Sequence, residues 1–155
     1  MGAEFRHVAS YLQLMQFRFE DGLAFRLSPC SNADAISVPK LILQPVVENC
    51  FRHGFADRQP PWLVHLEAET TQGRWLVRVE DNGCGMSDED AKGIIDRVAH
   101  FLEDPSNTIE SLKIGGLGLV NSLVRLKLQY GDQGYFELGR STLGGSRIVR
   151  SGPTA

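Results

Sequence analysis

Lys40 to Gly54 reads KLILQPVVENCFRHG, and the rest of the chain is read around this stretch. Wound as a helix at about 100° per residue, it puts Ile42, Leu43, Val46, Val47, Cys50 and Phe51 on one broad apolar half. Pro45, Glu48, Asn49, Arg52 and His53 gather on the other half. The apolar half predicts a core helix, with Ser37 as its cap and Pro39 in its first turn. The outer half brings together a carboxylate, a carboxamide, a guanidinium and an imidazole. Such a set can hold a hard metal ion through the Asn and Glu oxygens and phosphates through the Arg fork. It is also what the solvated face of an ordinary amphipathic helix looks like.

Downstream of Gly54, Gln59-Pro60-Pro61 punctuates a loop before Trp62 to Thr70 and Arg74 to Glu80, two runs parted by Thr71-Gln72-Gly73. They predict adjacent antiparallel strands. Trp75, Val77 and Val79 share a face, and period-2 parity carries Asp81 onto that apolar side. A buried acid is costly unless satisfied, so Asp81 either caps a local turn or awaits a ligand donor. His65 falls with Glu67 and Glu69 on the opposite, solvated side. Asp81-Asn82-Gly83-Cys84-Gly85-Met86 follows, a loop whose glycines permit close approach of a planar ligand. From Ser87 to Ile114 the chain is polar, with helical stretches over Asp88 to Leu102 and around Asn107 to Lys113. This long excursion between two glycine motifs suggests a lid. Gly115-Gly116-Leu117-Gly118-Leu119 then opens a helix with a stripe of Leu119, Leu123, Leu126 and Tyr130, and a helix start rich in exposed N–H groups favours anions. Tyr135 to Arg140 and Arg147 to Arg150 predict two last strands, and residues 151–155 a disordered tail.

Upstream, Val8, Tyr11, Leu12, Met15 and Phe19 recur at helical spacing across residues 4–19. Standing where it does, this helix suits the end of a longer one, docked on the domain or on a second copy. Leu23 to Leu27 alternates as a short strand. The 155 residues suffice for one domain with a proper core. A 42% hydrophobic content and a formal charge of −3 fit a globular protein, with no basic excess pointing to nucleic acid or an anionic membrane. The three cysteines, Cys30, Cys50 and Cys84, are too scattered for a disulfide framework or a zinc site and fit a reducing cytosol. No apolar run approaches the ~20 residues that span a bilayer.

Three pieces stand in order: LQPVVENCFRHG on a helix, EDNGCGM after a strand, and GGLGLVNSLVRLKLQYG opening another helix. Together they resemble the N, G1 and G2 boxes of the GHKL ATP-binding fold, most closely in LytS/YesM-like sensor histidine kinases, across residues 4–150. The resemblance implies a Bergerat-type α/β (α+β) two-layer sandwich, a mixed and mostly antiparallel sheet with helices on one face and an ATP lid over about 87–114. It implies residues 20–150 as the catalytic domain and residues 4–19 as the end of a dimerisation or linker helix.

By position, Asn49 resembles the magnesium-binding asparagine, while Arg52 and His53 match places near the phosphates or the ribose. Asp81 resembles the aspartate that receives the adenine amino group. Gly83, Gly85 and Met86 would line the adenine pocket, and Gly116, Leu117, Gly118 and Leu119 would set backbone N–H groups against the phosphates. Glu48 is the nearest candidate for a catalytic acid, although its place beside Asn49 predicts that it points away from the γ-phosphate. The water-activating glutamate of GHKL ATPases would fall at position 45, which is Pro45. Ile114 stands where a glycine often opens the G2 box. None of His7, His53, His65 or His100 sits in a phospho-acceptor motif. The resemblance thus implies a catalytic fragment using ATP and Mg²⁺ and passing phosphate to a histidine in an upstream segment. From there it would reach a response regulator, in a two-component receptor that is a membrane-anchored homodimer with this part cytoplasmic. A nucleotide-dependent interaction switch and a GHKL ATPase are the alternatives.

Overall fold

Arg74–Asp81 alternates along its whole length: Trp75, Val77, Val79 and Asp81 are buried, and Arg74, Leu76, Arg78 and Glu80 are half-buried. That period belongs to a strand with one face on a core. In the computed structural model, which describes residues 1–104 and 118–154, this strand (β3) is the middle of a five-stranded sheet. Chain order gives β1 (Leu23–Ser28), β2 (Trp62–Thr71), β3, β4 (Tyr135–Arg140) and β5 (Ser146–Pro153), and the spatial order is β1-β2-β3-β5-β4. β1 runs parallel to β2, and every other pairing is antiparallel.

The α-helices among the described residues are α1 (Gly2–Phe19), α2 (Gln44–Asn49), α3 (Asp88–Glu103) and α4 (Gly118–Tyr130). Val8 and Leu12 of α1, Val46 and Val47 of α2, and Leu123, Val124 and Leu126 of α4 are buried with Val64, Leu66, Trp75, Val77 and Val79 of the sheet. The opposite sheet face stays polar. It carries the ion pairs Arg78 to Glu67 (3.0 Å) and Arg147 to Glu137 (2.6 Å), with His65 beside the first. The architecture is the two-layer α/β sandwich, with a mixed and mostly antiparallel sheet.

Two boundaries differ from those the sequence predicts. Helix α2 starts at Gln44 rather than near Lys40, with Leu43 and not Ser37 at its N-cap and Pro45 in its first turn. The cause is Leu41, whose φ of 58° turns the chain out of helical geometry. The helix then widens into a π-type turn over Cys50–Gly54. Residues 151–153 are not a loose tail: Ser151, Gly152 and Pro153 pair with Leu76, Trp75 and Arg74 of β3. A small and polar composition reads as a tail, but the neighbouring strand satisfies its backbone groups. The helical stretch expected over Asp88 to Leu102 is α3. Ser87 Oγ caps it by accepting from Asp90 N–H at 3.0 Å, Val98 is buried, and Ala91, Ile94 and Phe101 pack on the core. The rest of the expected lid, the helical stretch around 107–113, Ile114 and the motif residues Gly116 and Leu117 lie outside the described residues.

Candidate functional site

Helix α2, with the turn that extends it, lies along one wall of a cavity of about 350 Å³. Its five outward residues, Pro45, Glu48, Asn49, Arg52 and His53, all line that cavity. Gly85 and Met86 line it from the loop after β3, and Gly118 and Leu119 from the start of α4. Glu48 lines the cavity beside Asn49. Gln44, one turn earlier, donates its Nε2 to Glu48 Oε1 at 2.7 Å and holds the carboxylate there.

Asp81 and Gly83 stand one layer behind the lining. Asp81 is only 2% exposed, and its Oδ1 accepts from Gly83 N–H at 2.8 Å and from Ser146 N–H at 3.1 Å. One of the two readings left open by parity is thus met, since the acid does cap a turn. The Cys50 thiol, which donates to Val46 O at 3.5 Å, also favours the ionised carboxylate. Burial raises the Asp81 pKa above its ordinary 3.8, against the pull of these donors and of the Arg58 charge. Burial, helped by the nearby Asp81 charge, raises the Cys50 thiol well above 9.0, so it stays protonated at neutral pH.

The walls around Asp81 are backbone. A Cβ on Gly145 would stand 2.1 Å from Asp81 Oδ1, and one on Gly83 would stand 2.4 Å from Gly54 O. Neither position can carry a side chain without displacing main chain. The loop is tied to the end of the π-type turn by Cys84 N–H to Gly54 O (2.8 Å) and Cys84 Sγ to His53 O (3.2 Å). Arg58 adds a bond from its Nη1 to Gly83 O at 2.9 Å.

Sequence reasoning missed six of the lining residues, Gly54 and Val120 among them. Asp90, Ile94 and Arg97 of α3 face the cavity together with Ser146 of β5. The signal for the first three was present, because positions i, i+4 and i+7 after a Ser cap share a face. Nothing local marks Ser146, whose place depends on the β4–β5 turn.

Helix α2, the glycine loop after β3 and the glycine-led start of α4 thus converge on one cavity, in the order in which they occur along the chain. Residues 34–152 match the histidine kinase-, DNA gyrase B-, and HSP90-like ATPase family. The chain belongs to that family. This ATPase domain is homologous to sensor histidine kinases: it is 28% identical over 142 residues to sensor histidine kinase YesM of Bacillus subtilis, covering 92% of this chain and 22% of YesM. It is 33% identical over 127 residues to sensor protein LytS of Streptococcus agalactiae, covering 81% of this chain and 20% of LytS. The chain therefore spans about a fifth of the length of these relatives. The catalytic domain of histidine kinase ThkA, in a nucleotide-free form, superposes with a TM-score of 0.67 at 15% identity. That match covers 99% of this chain and 92% of that one, and it shows the shared fold. Membership of the ATPase family implies nucleotide binding. Among the described residues no helix is long and apolar enough to cross a membrane.

Proposed function

We propose that the cavity binds ATP with magnesium, and that the domain supplies the γ-phosphoryl group to a histidine in an upstream segment of the same protein. The observation that carries this reading is the placing of a buried aspartate behind the same cavity that Asn49 lines. One end offers a carboxylate to a donor-bearing planar base, and the other offers oxygens to a hard cation.

Asp81 would receive the adenine amino group through the carboxylate oxygen that Gly83 and Ser146 leave free. Gly83, Gly85 and Met86 would border the base. Arg52 and His53 would serve the phosphates or the ribose, and Gly118 and Leu119, with Gly116 and Leu117, would offer main-chain N–H groups to the phosphates. The donor set fits magnesium, which takes one or two protein oxygens and completes its shell with phosphate and water. Asn49 Oδ1 is such an oxygen, Glu48 is beside it, and among the described residues no cluster of three His, Cys, Asp or Glu suits a softer ion. When bound, the ion neutralises charge developing on the phosphates. The chain's own residues orient the chain of phosphates. In the transfer, the bond from the γ-phosphorus to its bridging oxygen breaks, a phosphorus–nitrogen bond to the acceptor imidazole forms, that imidazole gives up its proton and ADP leaves.

Helix α1 fits the end of a dimerisation or linker helix. One face docks on the domain, while Leu14 (63% exposed) and Phe17 (85% exposed) remain free on the other. The further steps, transfer to a response-regulator aspartate and anchoring of a homodimer with this part in the cytoplasm, follow from the kinship to sensor histidine kinases. Calorimetric titration of the chain with ATP, with and without magnesium, tests the binding. Saturable binding strengthened by magnesium is expected, and no binding in either condition would remove the proposal.

A further inference from the structure

Glu4 stands on the first turn of α1, far in sequence from the cavity, yet its carboxylate binds the segment that launches α2. Oε1 accepts from Leu41 N–H at 2.9 Å, and Oε2 accepts from Ile42 N–H at 2.9 Å and Leu43 N–H at 3.2 Å. Three successive N–H groups converging on one anion form a nest. Leu41 enters it at φ 58°, a left-handed conformation that a leucine keeps only where its surroundings hold it. Leu43, the N-cap, has no side-chain capping bond of its own. Glu4 supplies from another helix what the local sequence lacks.

Arg150 holds the same segment from the other side. It pairs with Val77 on the inward face of β5 and is 1% exposed. Its Nη1 donates to Ile42 O, and its Nη2 donates to Ser122 Oγ of α4 at 2.8 Å. Burial lowers its pKa to about 9, with the Glu4 charge acting the other way, so it remains a cation at neutral pH. Ile42 is thus gripped at both main-chain groups, its N–H by an anion and its C=O by a cation. The far end of the α2 wall is tied to α1 as well, since Phe51 meets Tyr11 edge-on (5.8 Å) and lies parallel to Phe19 (6.2 Å).

We propose that Glu4 and Arg150 are positioning residues for the nucleotide site, and that through them the seat of α1 determines where α2 holds Asn49. The inference rests on the reading of the cavity as an ATP site. Its signature is selectivity between the two ends of the ligand. Asn49 and Glu48 ride on α2, whose start the pair holds, whereas Asp81 belongs to β3 and takes its main-chain bonds from Gly83 and Ser146, neither of them on α2. Loosening the grip should therefore weaken the magnesium-dependent end and leave the base end nearly intact. A role in folding alone would lower the melting temperature and weaken every ligand alike.

The test is calorimetry of Glu4→Ala, Glu4→Gln and Arg150→Lys against magnesium–ATP and against ADP without magnesium. Glu4→Ala is expected to lose roughly tenfold in affinity for magnesium–ATP and about twofold or less for ADP. Glu4→Gln, which keeps one good acceptor, should fall between. Arg150→Lys, which keeps the charge but not the fork, should show the same selectivity. If Glu4→Ala does not fold, the other two variants carry the comparison. Equal losses for both ligands, or no loss in folded Glu4→Gln and Arg150→Lys, would overturn the inference while leaving the ATP reading intact. An unmodified chain that binds neither ligand would remove the ATP reading itself and this inference with it.

Discussion

The backbone N–H of Ser146 donates to Asp81 Oδ1 across 65 residues of chain, at 3.1 Å. Gly83 N–H takes the same oxygen at 2.8 Å, so Oδ1 is saturated and an incoming amino group must use the other oxygen. In Asp81→Asn the amide oxygen would keep the two N–H bonds, and the new NH₂ would face the adenine amino group, donor against donor. The expected cost is about 1–3 kcal/mol, or roughly 5- to 150-fold in ATP affinity. Unchanged affinity by calorimetry would exclude Asp81 from base recognition.

The same carboxylate predicts how binding responds to pH. Burial raises its pKa above 3.8 in spite of the Gly83 and Ser146 N–H groups, the Cys50 thiol and the Arg58 charge. Only the ionised form leaves the other oxygen free to accept from adenine, so affinity is full above the raised value. It is lost as pH falls through that value, earlier than an ordinary aspartate would allow. Stability runs the other way: an acid with a raised folded pKa favours the native state at low pH, and that contribution is lost as pH rises through the folded pKa. Titrations with ATP across the mildly acidic range should show affinity falling in the unmodified chain, with a flatter profile in Asp81→Asn. Parallel profiles would place the titrating group elsewhere.

Much of this was legible in the sequence, and the reason is periodicity. The β3 alternation put Asp81 on the buried face, and helical spacing put Glu48, Asn49, Arg52 and His53 on one face, because both patterns are local. What sequence did not give is what distant segments decide. The late start of α2 depends on Glu4 capping a nest about forty residues away in the chain. The ordered end of β5 depends on Arg74 to Leu76 as pairing partners. Arg150 sits on the inward side of its strand because Ile42 O and Ser122 Oγ await it there, and no pattern along β5 announces that a cation belongs in a core. Helix α3 read as polar, since its buried stripe is only one residue wide per turn.

The histidines of this chain are poorly placed to accept the phosphoryl group. His7 and His100 are exposed on α1 and α3, His65 lies on the polar sheet face, and His53 is part of the cavity wall itself. Incubated alone with radiolabelled ATP, the chain is expected to acquire no stable acid-labile label. Label on any of the four would overturn the assignment of the acceptor to an upstream segment.

Intrinsic ATP hydrolysis should be slow, and the reason lies on the first turn of α2. A water-activating glutamate would belong at position 45, one turn before Asn49 on the same face. Pro45 occupies it, lining the cavity without a base and standing 3.5 Å from where a Cβ on Gly118 would be. Glu48 reaches the cavity, but its Oε1 already accepts from Gln44 Nε2 at 2.7 Å, which commits that oxygen to the helix rather than to a water. Replacing Pro45 removes no main-chain hydrogen bond, because the position lies in the first turn, where an N–H has no helical partner. Pro45→Glu is therefore expected to fold and to raise turnover, within the 10²- to 10⁴-fold that general-base assistance typically contributes. Phosphate release measured on the unmodified chain, Pro45→Glu and Glu48→Gln decides the matter. Rapid turnover by the unmodified chain, abolished in Glu48→Gln, would make Glu48 the base and the domain an ATPase in its own right.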